Sequence, residues 1–251
     1  MKLAVISPAS LLANYSTDYH LVLTQYYRKI DKYRNYYLDI RKQPGHFIIL
    51  DNGAAELTES AIEKNVVEVA FELRPNVLVA PDVVHDMSKT LLRTLDFIGS
   101  YAYMLHSRDI SIMAVPQGET KEEWLECFNV FNNSDQVHWL GISMFYDKMF
   151  GGRVNVLDSI KDIVKKPCHL LGMWNNPFKL AFEKAYPYVQ GVDTAKPVEF
   201  GMRSLTLDQW PHHYHIDDDT YFDFEPPRPD IWNWYDSVIR RNIKQMLELV
   251  A

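Results

Sequence analysis

The chain has 251 residues, 47% of them hydrophobic and 24% charged. That composition supports a self-sufficient core and excludes a disordered tail, a coiled coil or a collagen-like chain. The formal net charge of −7 argues against a basic nucleic-acid coat, though not against an enzyme that meets nucleic acid through one local patch. No apolar run reaches the roughly 18 residues that span a bilayer, so no membrane partner is expected.

The chain opens on Leu3–Ile6, a short apolar run that Ser7-Pro8 interrupts. Four apolar residues fall short of the roughly 7–15 of a signal-peptide core, so the run reads as a first buried strand and the protein as cytoplasmic. Further strand-like runs follow at His46–Leu50, Val77–Ala80, Ile110–Val115, His138–Ile142, His169–Leu171 and Tyr188–Val192. They are apolar throughout rather than alternating, the pattern of strands buried on both faces. Helical patterns lie between them. Thr120 with Glu123 forms a capping box ahead of Trp124, Leu125 and Phe128, and Asn176-Pro177 pairs a capping residue with a first-turn proline. Pro229 and Asp230 open a closing helix with Trp232, Tyr235, Ile239, Ile243 and Met246 at helical spacing. No repeat, linker or low-complexity segment divides the chain, so residues 1–251 are expected to form one α/β domain with a parallel sheet.

Two cysteines, Cys127 and Cys168, suffice neither for a disulfide framework nor for a four-thiolate zinc site. They fit a reducing compartment.

The polar residues choose between a doubly wound sheet and a barrel. The apolar runs end in Asp51-Asn52-Gly53, Pro81-Asp82, Pro116-Gln117-Gly118, Gly141-Ile142-Ser143, Gly172-Met173-Trp174 and Asp193-Thr194. Any one such aspartate is ordinarily a turn former or helix cap. In a (β/α)8 barrel, however, all strand C-termini meet on one face, which carries the chemistry. Six clusters in register favour the barrel and a shared pocket. No phosphate loop, dinucleotide fingerprint, metalloprotease or nucleophile-elbow motif is present. Paired carboxylates without metal ligands suit glycosidic chemistry, in which one attacks the anomeric carbon and another handles the leaving-group proton.

The ordered set Asp51-Asn52-Gly53-Ala54, Asp82, Val115-Pro116-Gln117-Gly118, Leu140-Gly141-Ile142, Leu171-Gly172 and Asp193-Thr194-Ala195-Lys196-Pro197 resembles the tRNA-guanine transglycosylase superfamily. It is most similar to the short phage members that place 7-deazaguanines into DNA. The match runs over roughly residues 46–201, at intervals of 31, 35, 24, 31 and 21 residues that suit one βα unit each. The resemblance implies a single TIM barrel that exchanges guanine in a polynucleotide for a modified base. It implies that Asp193 attacks C1′ and that Asp51 is the general acid and base. Asp82, Gln117, Gly118, Gly141, Ile142, Gly172 and Trp174 would then hold the base, and Lys196 would touch nucleic acid. No cofactor is implied. Ala55 and Glu56 stand where the family places a stacking Phe and a Gln, so stacking falls to Trp174 or Tyr146. The family's Cys-x-Cys-x-x-Cys zinc motif is missing from the chain, which favours DNA over tRNA. Three alternatives remain open: a DNA glycosylase, a zinc-less tRNA enzyme, and a non-catalytic nucleic-acid-binding or partner subunit. A homodimer is also open.

Residues 28–42 set Arg28, Lys29, Lys32, Arg34, Arg41 and Lys42 against Asp31 and Asp39, with Tyr26, Tyr27, Tyr33, Tyr36 and Tyr37 interleaved. Such a segment suits contact with an unpaired strand or flipped nucleotide, or else is a solvated helix with a tyrosine-rich buried face. His212, His213 and His215 before Asp217-Asp218-Asp219 invite a metal reading, but they lack a helical i, i+4 pair and read better as a polar surface loop. His46, His138 and His169 open strands and read as structural. His85 and Asp86 read as pocket lining or as a turn and helix cap.

Overall fold

The computed structural model describes residues 1–54, 63–173, 176–209 and 218–251. Eight strands form one sheet: β1 (Lys2–Val5), β2 (Tyr19–Leu23), β3 (Phe47–Asp51), β4 (Val77–Val79), β5 (Ser111–Ala114), β6 (Trp139–Ser143), β7 (Cys168–Leu171) and β8 (Val189–Thr194). Their order is β1-β8-β7-β6-β5-β4-β3-β2, with every pairing parallel. This is the α/β barrel that the convergent polar residues predict. The sheet is nearly closed. Between its two outer strands the Thr17 hydroxyl reaches the Leu3 carbonyl oxygen at 2.5 Å, and Lys2 pairs with Asp18 at 2.6 Å.

The structure adds one strand to the seven read from the sequence. Tyr19-His20-Leu21-Val22-Leu23 is buried along its whole length as β2. Tyrosines follow it at helical spacing, and this neighbouring signal hides a run of only five residues. The other strand bounds shift by a residue or two.

The helices pack outside in chain order: α1 (Leu12–Tyr15), α2 (Thr24–Lys29), α3 (Asp31–Ile40), α4 (Glu63–Leu73), α5 (Met87–His106), α6 (Lys121–Asn133), α7 (Asp147–Phe150), α8 (Arg153–Ile160), α9 (Leu180–Glu183), α10 (Lys196–Gly201), α11 (Asp218–Phe222) and α12 (Pro229–Val250). Thr120 caps α6 by accepting from the Glu123 amide, while the Glu123 carboxylate reaches back to the Glu119 amide at 2.8 Å. Asn176 caps a single 3-10 turn at Pro177–Lys179 rather than a long helix. Along α12, Ile239, Ile243 and Met246 are buried. A Cβ on Gly201 would lie 2.7 Å from the Ile239 Cα, so α10 and α12 touch backbone to backbone. Cys127 and Cys168 are buried free thiols. Among the described residues no helix is long and apolar enough to cross a membrane.

One irregularity bears on chemistry. Between β7 and β8 the register slips, so that Cys168 faces Val189 and His169 faces Gly191. The extra residue, Gln190, is a bulge of the kind that re-aims side chains beside functional sites.

Candidate active site

A cavity opens at the C-terminal ends of the strands, where barrel chemistry is built. Asp51, Asp82, Gln117, Ser143, Gly172, Asp193 and Lys196 all line it, drawn from six different strand ends. Its walls are largely apolar, formed by Ile6, Leu21, Leu23, Val79, Val115 and Leu171 together with Phe145, Met173, Tyr221 and Phe222. An apolar slot with a few convergent polar groups is the usual form of a site for a flat organic ligand.

On the β3–β5 side the polar groups hold one another. Asn52 donates its carboxamide to the Ala80 carbonyl oxygen and to Asp82 Oδ1, each at 2.7 Å. Gln117 Nε2 donates to Asp82 Oδ2 at 2.5 Å, while Gln117 Oε1 accepts from the Tyr146 hydroxyl (2.5 Å) and the His85 amide (3.2 Å). Burial disfavours the charged carboxylate and pushes the Asp82 pKa up to about 6, against the pull of Asn52, Gln117 and Arg93. Ionised, Asp82 offers the cavity only acceptor lone pairs. Protonated, it can donate inward while still accepting from its neighbours.

Across the cavity, Asp193 Oδ1 accepts from His169 Nε2 and from the Gly172 amide, both at 3.0 Å. His169 is fully buried, and its Nδ1 lies 3.0 Å from the Tyr19 hydroxyl. A single proton on Nε2 satisfies both contacts, with Tyr19 donating to Nδ1. Burial, reinforced by the Asp193 charge, holds the Tyr19 phenol far above its ordinary pKa, so it stays a donor. Tyr19 fits there because Gly191 has no side chain; a Cβ would lie 2.6 Å from the phenolic oxygen. Gly172 has φ +68°, and a Cβ there would lie 2.5 Å from Met144 Sδ, so only glycine suits the turn. The Gly172 carbonyl oxygen accepts from Arg153 at 2.8 Å, and Arg153 pairs with Asp147 at 2.9 Å, both almost wholly buried.

Asp51 lies between these halves. Its Oδ2 accepts from the Gly53 amide at 2.8 Å, and its carbonyl oxygen accepts from Thr24 at 2.5 Å. Lys196 enters the cavity already paired with the buried Glu199 at 2.5 Å.

Several residues of the predicted site lie elsewhere. Gly141 points into the barrel below the cavity, where a Cβ would collide with Leu171 and Val115, so the bareness of this position serves packing. Ile142 is buried on the opposite face of β6, and neither lines the cavity. Gly118 is pressed against the start of α6, with a Cβ position 2.6 Å from the Trp124 amide nitrogen. Tyr146 is buried behind Gln117 and cannot stack on a ligand; Phe145 faces the cavity instead. Trp174, Ala55, Glu56 and His212, His213, His215 with Asp217 lie outside the described residues, as do the side chains of Asp218 and Asp219. Asp86 caps α5 through the Lys89 amide, and His85 supports Gln117 through its backbone.

The basic, tyrosine-rich segment divides. Tyr26, Tyr27, Tyr33 and Tyr37 are buried, so they do not offer faces to unpaired bases. Tyr26 instead stacks on Phe222 at 3.9 Å between ring centres and so backs the cavity wall. Arg34 is ion-paired with Glu72, near the end of α4 that points away from the cavity. Lys32 pairs with Glu225 at 3.3 Å. Arg28 and Lys29 are exposed at the end of α2, the helix that leaves the cavity end of β2.

Sequence reasoning missed Tyr19, His169 and Glu199. His169 opens a strand in an apolar run, and its partners are 24 and 150 residues away. Only register and the Gln190 bulge bring them together.

No family model and no curated protein matches the chain. Solved structures do. The YdjI aldolase of Escherichia coli K12 superposes with a TM-score of 0.58 at 9% identity, covering 100% of this chain and 90% of that one. The AP endonuclease, family 2, of Brucella melitensis gives 0.53 at 12%, covering 77% and 92%. The IOLI protein with a bound zinc atom gives 0.52 at 14%, covering 100% and 98%. At such identities the likeness is one of architecture, and the chain has the fold of the TIM barrels.

Proposed function

We propose that the protein is a pentosyltransferase that replaces guanine in DNA with a 7-deazaguanine through a covalent link between Asp193 and the sugar. The observation that carries this reading is the way Asp193 is held. Among the described residues its donors, His169 and Gly172, both act on Oδ1, which leaves Oδ2 for attack. Opposite it, the Asn52–Asp82–Gln117 network supplies the acceptor edge that the N–H groups of a guanine-like base require, and the apolar walls suit a flat heterocycle.

In this reading the nucleotide enters flipped from the strand. The Oδ2 electron pair of Asp193 forms a bond to C1′. The C1′–N bond breaks, its pair goes to the base nitrogen, and Asp51 delivers a proton to the departing guanine. The incoming base then loses its proton to Asp51 and attacks C1′, and the C1′–Oδ2 pair returns to Asp193. Two displacements at one carbon give retention. Gln117 and the β7 turn at Gly172 orient the base. Arg28, Lys29 and Lys196 face the phosphates, Lys196 in exchange for part of its contact with Glu199. The preference for DNA rests on the resemblance to the DNA-modifying members of the transglycosylase superfamily.

The test is nucleoside mass spectrometry after incubation with isotope-labelled guanine and either DNA or tRNA, with Asp193→Ala alongside. Label in DNA that disappears in the variant is the expected result. Label in tRNA alone overturns the DNA preference. Released base without incorporation indicates hydrolysis in place of exchange, and neither label nor released base overturns guanine exchange.

A further inference from the structure

We propose that His169, held by Tyr19, is a positioning residue that makes Asp193 a good leaving group, so that the pair governs release from the covalent state. The inference rests on the function proposed above and adds to it a role for two buried side chains beneath the cavity.

Four observations support it. His169 is fully buried, and each of its ring nitrogens has one partner of definite chemistry, Asp193 at Nε2 and Tyr19 at Nδ1. Tyr19 reaches that position only because residue 191 lacks a Cβ. The Gln190 bulge brings His169 level with Gly191, two residues below Asp193 on β8. Finally, both donors act on the same carboxylate oxygen of a residue that lines the cavity.

The chemical consequence follows from the direction of charge. In the covalent state Asp193 is an ester through Oδ2, and Oδ1 is its carbonyl oxygen. As the C1′–Oδ2 bond breaks, its electron pair returns to the carboxyl group and negative charge spreads onto Oδ1. An Nε2–H donor there stabilises the departing carboxylate, and the Tyr19 hydroxyl keeps the His169 proton on Nε2. Loss of the donor makes Asp193 a stronger nucleophile and a poorer leaving group. A merely structural histidine would slow formation and release together. The relay alters their ratio.

The experiment measures single-turnover formation and decay of the protein–DNA adduct by denaturing electrophoresis and intact-protein mass. It compares the parent with His169→Leu, His169→Gln and Tyr19→Phe. A hydrogen bond to a charged group corresponds to about a ten- to hundredfold change in rate. His169→Leu is therefore expected to slow decay by about that factor and to accumulate adduct, with formation unslowed. His169→Gln, whose amide nitrogen can occupy the Nε2 position, is expected to recover most of the decay rate. Tyr19→Phe keeps the ring against Gly191 and is expected to slow decay by a smaller factor, about two- to fivefold. Should His169→Leu fail to fold, Tyr19→Phe decides alone: unchanged decay overturns the inference. Adduct in the parent with unaltered decay in the variants, or with formation and decay slowed equally, overturns the relay while leaving Asp193 as nucleophile. Absence of adduct in every protein while exchange proceeds overturns both.

Discussion

Asp82 is a buried carboxylate whose charge the fold disfavours, and this makes it the most direct test of the site's electrostatics. Its pKa stands at about 6 against an ordinary 3.8, with burial as the main cause. A rise of about 2 units at about 1.4 kcal/mol each amounts to about 3 kcal/mol. Because the folded pKa is the higher one, this stability is fully present below the ordinary carboxylate pKa and is lost as pH rises through about 6. Asp82→Asn removes the titration. The variant also has a pH-independent defect, since Asn52 and Gln117 both aim donors at this position and an asparagine can accept only one of them without conflict. The unfolding free energy of the parent minus that of the variant is therefore expected to fall by about 2.5 kcal/mol between pH 4 and pH 7.5, most of it between about pH 4 and pH 6. Urea denaturation followed by tryptophan fluorescence across that range measures it. A difference that stays flat with pH would refute the reasoning. The same titration should appear in ligand binding: a base with an N–H edge needs the ionised acceptor, so its affinity is expected to weaken about tenfold per pH unit well below 6.

Other perturbations probe other parts of the molecule. Gly201→Ala would gain about 1 kcal/mol from helix propensity alone, but its Cβ meets the backbone of Ile239. A net loss of about 1–3 kcal/mol is expected, seen as a lower Tm, and a rise in Tm would contradict the close approach of α10 and α12. Arg153→Met removes the guanidinium that pairs with buried Asp147 and donates to the Gly172 carbonyl oxygen and is expected to cost about 3–5 kcal/mol by urea titration; Arg153→Met/Asp147→Leu should regain part of it, and equal losses in both would refute a contribution from the pairing. For nucleic acid, Arg34→Ala is expected to leave the salt dependence of DNA affinity unchanged, because Glu72 already engages this side chain. Replacing Arg28 and Lys29 together by Ala is expected to lower the slope of log affinity against log salt by about 1.4, at about 0.7 per phosphate contact with a single strand. Fluorescence anisotropy with a short labelled DNA reads both.

How much was legible beforehand differs by residue, and the reason is range. The two-face burial of strands such as Val77–Val79 and Ile112–Ala114 leaves apolar runs in the chain, and glycine, proline and aspartate punctuate their ends. Those signals are local, so the barrel and the row of residues at its rim could be read in order: Asp51, Asp82, Gln117, Gly172, Asp193 and Lys196 do share one cavity. Tertiary structure decided what each of them touches. Gly141 and Gly191 look alike as strand glycines; one makes room for Leu171 and Val115, the other for the ring of Tyr19. The tyrosines of residues 26–37 keep helical spacing whether that face meets solvent or Phe222, and only packing turned it inward. The strand Tyr19–Leu23 was masked by the pattern beside it. His169 meets Asp193 and Tyr19 through strand register and a bulge, which contacts between distant segments impose and local propensity does not encode. Local patterning thus carries the architecture and the ring of polar residues at its mouth, while packing between distant segments sets their partners, the charge of Asp82 and the buried groups that hold them.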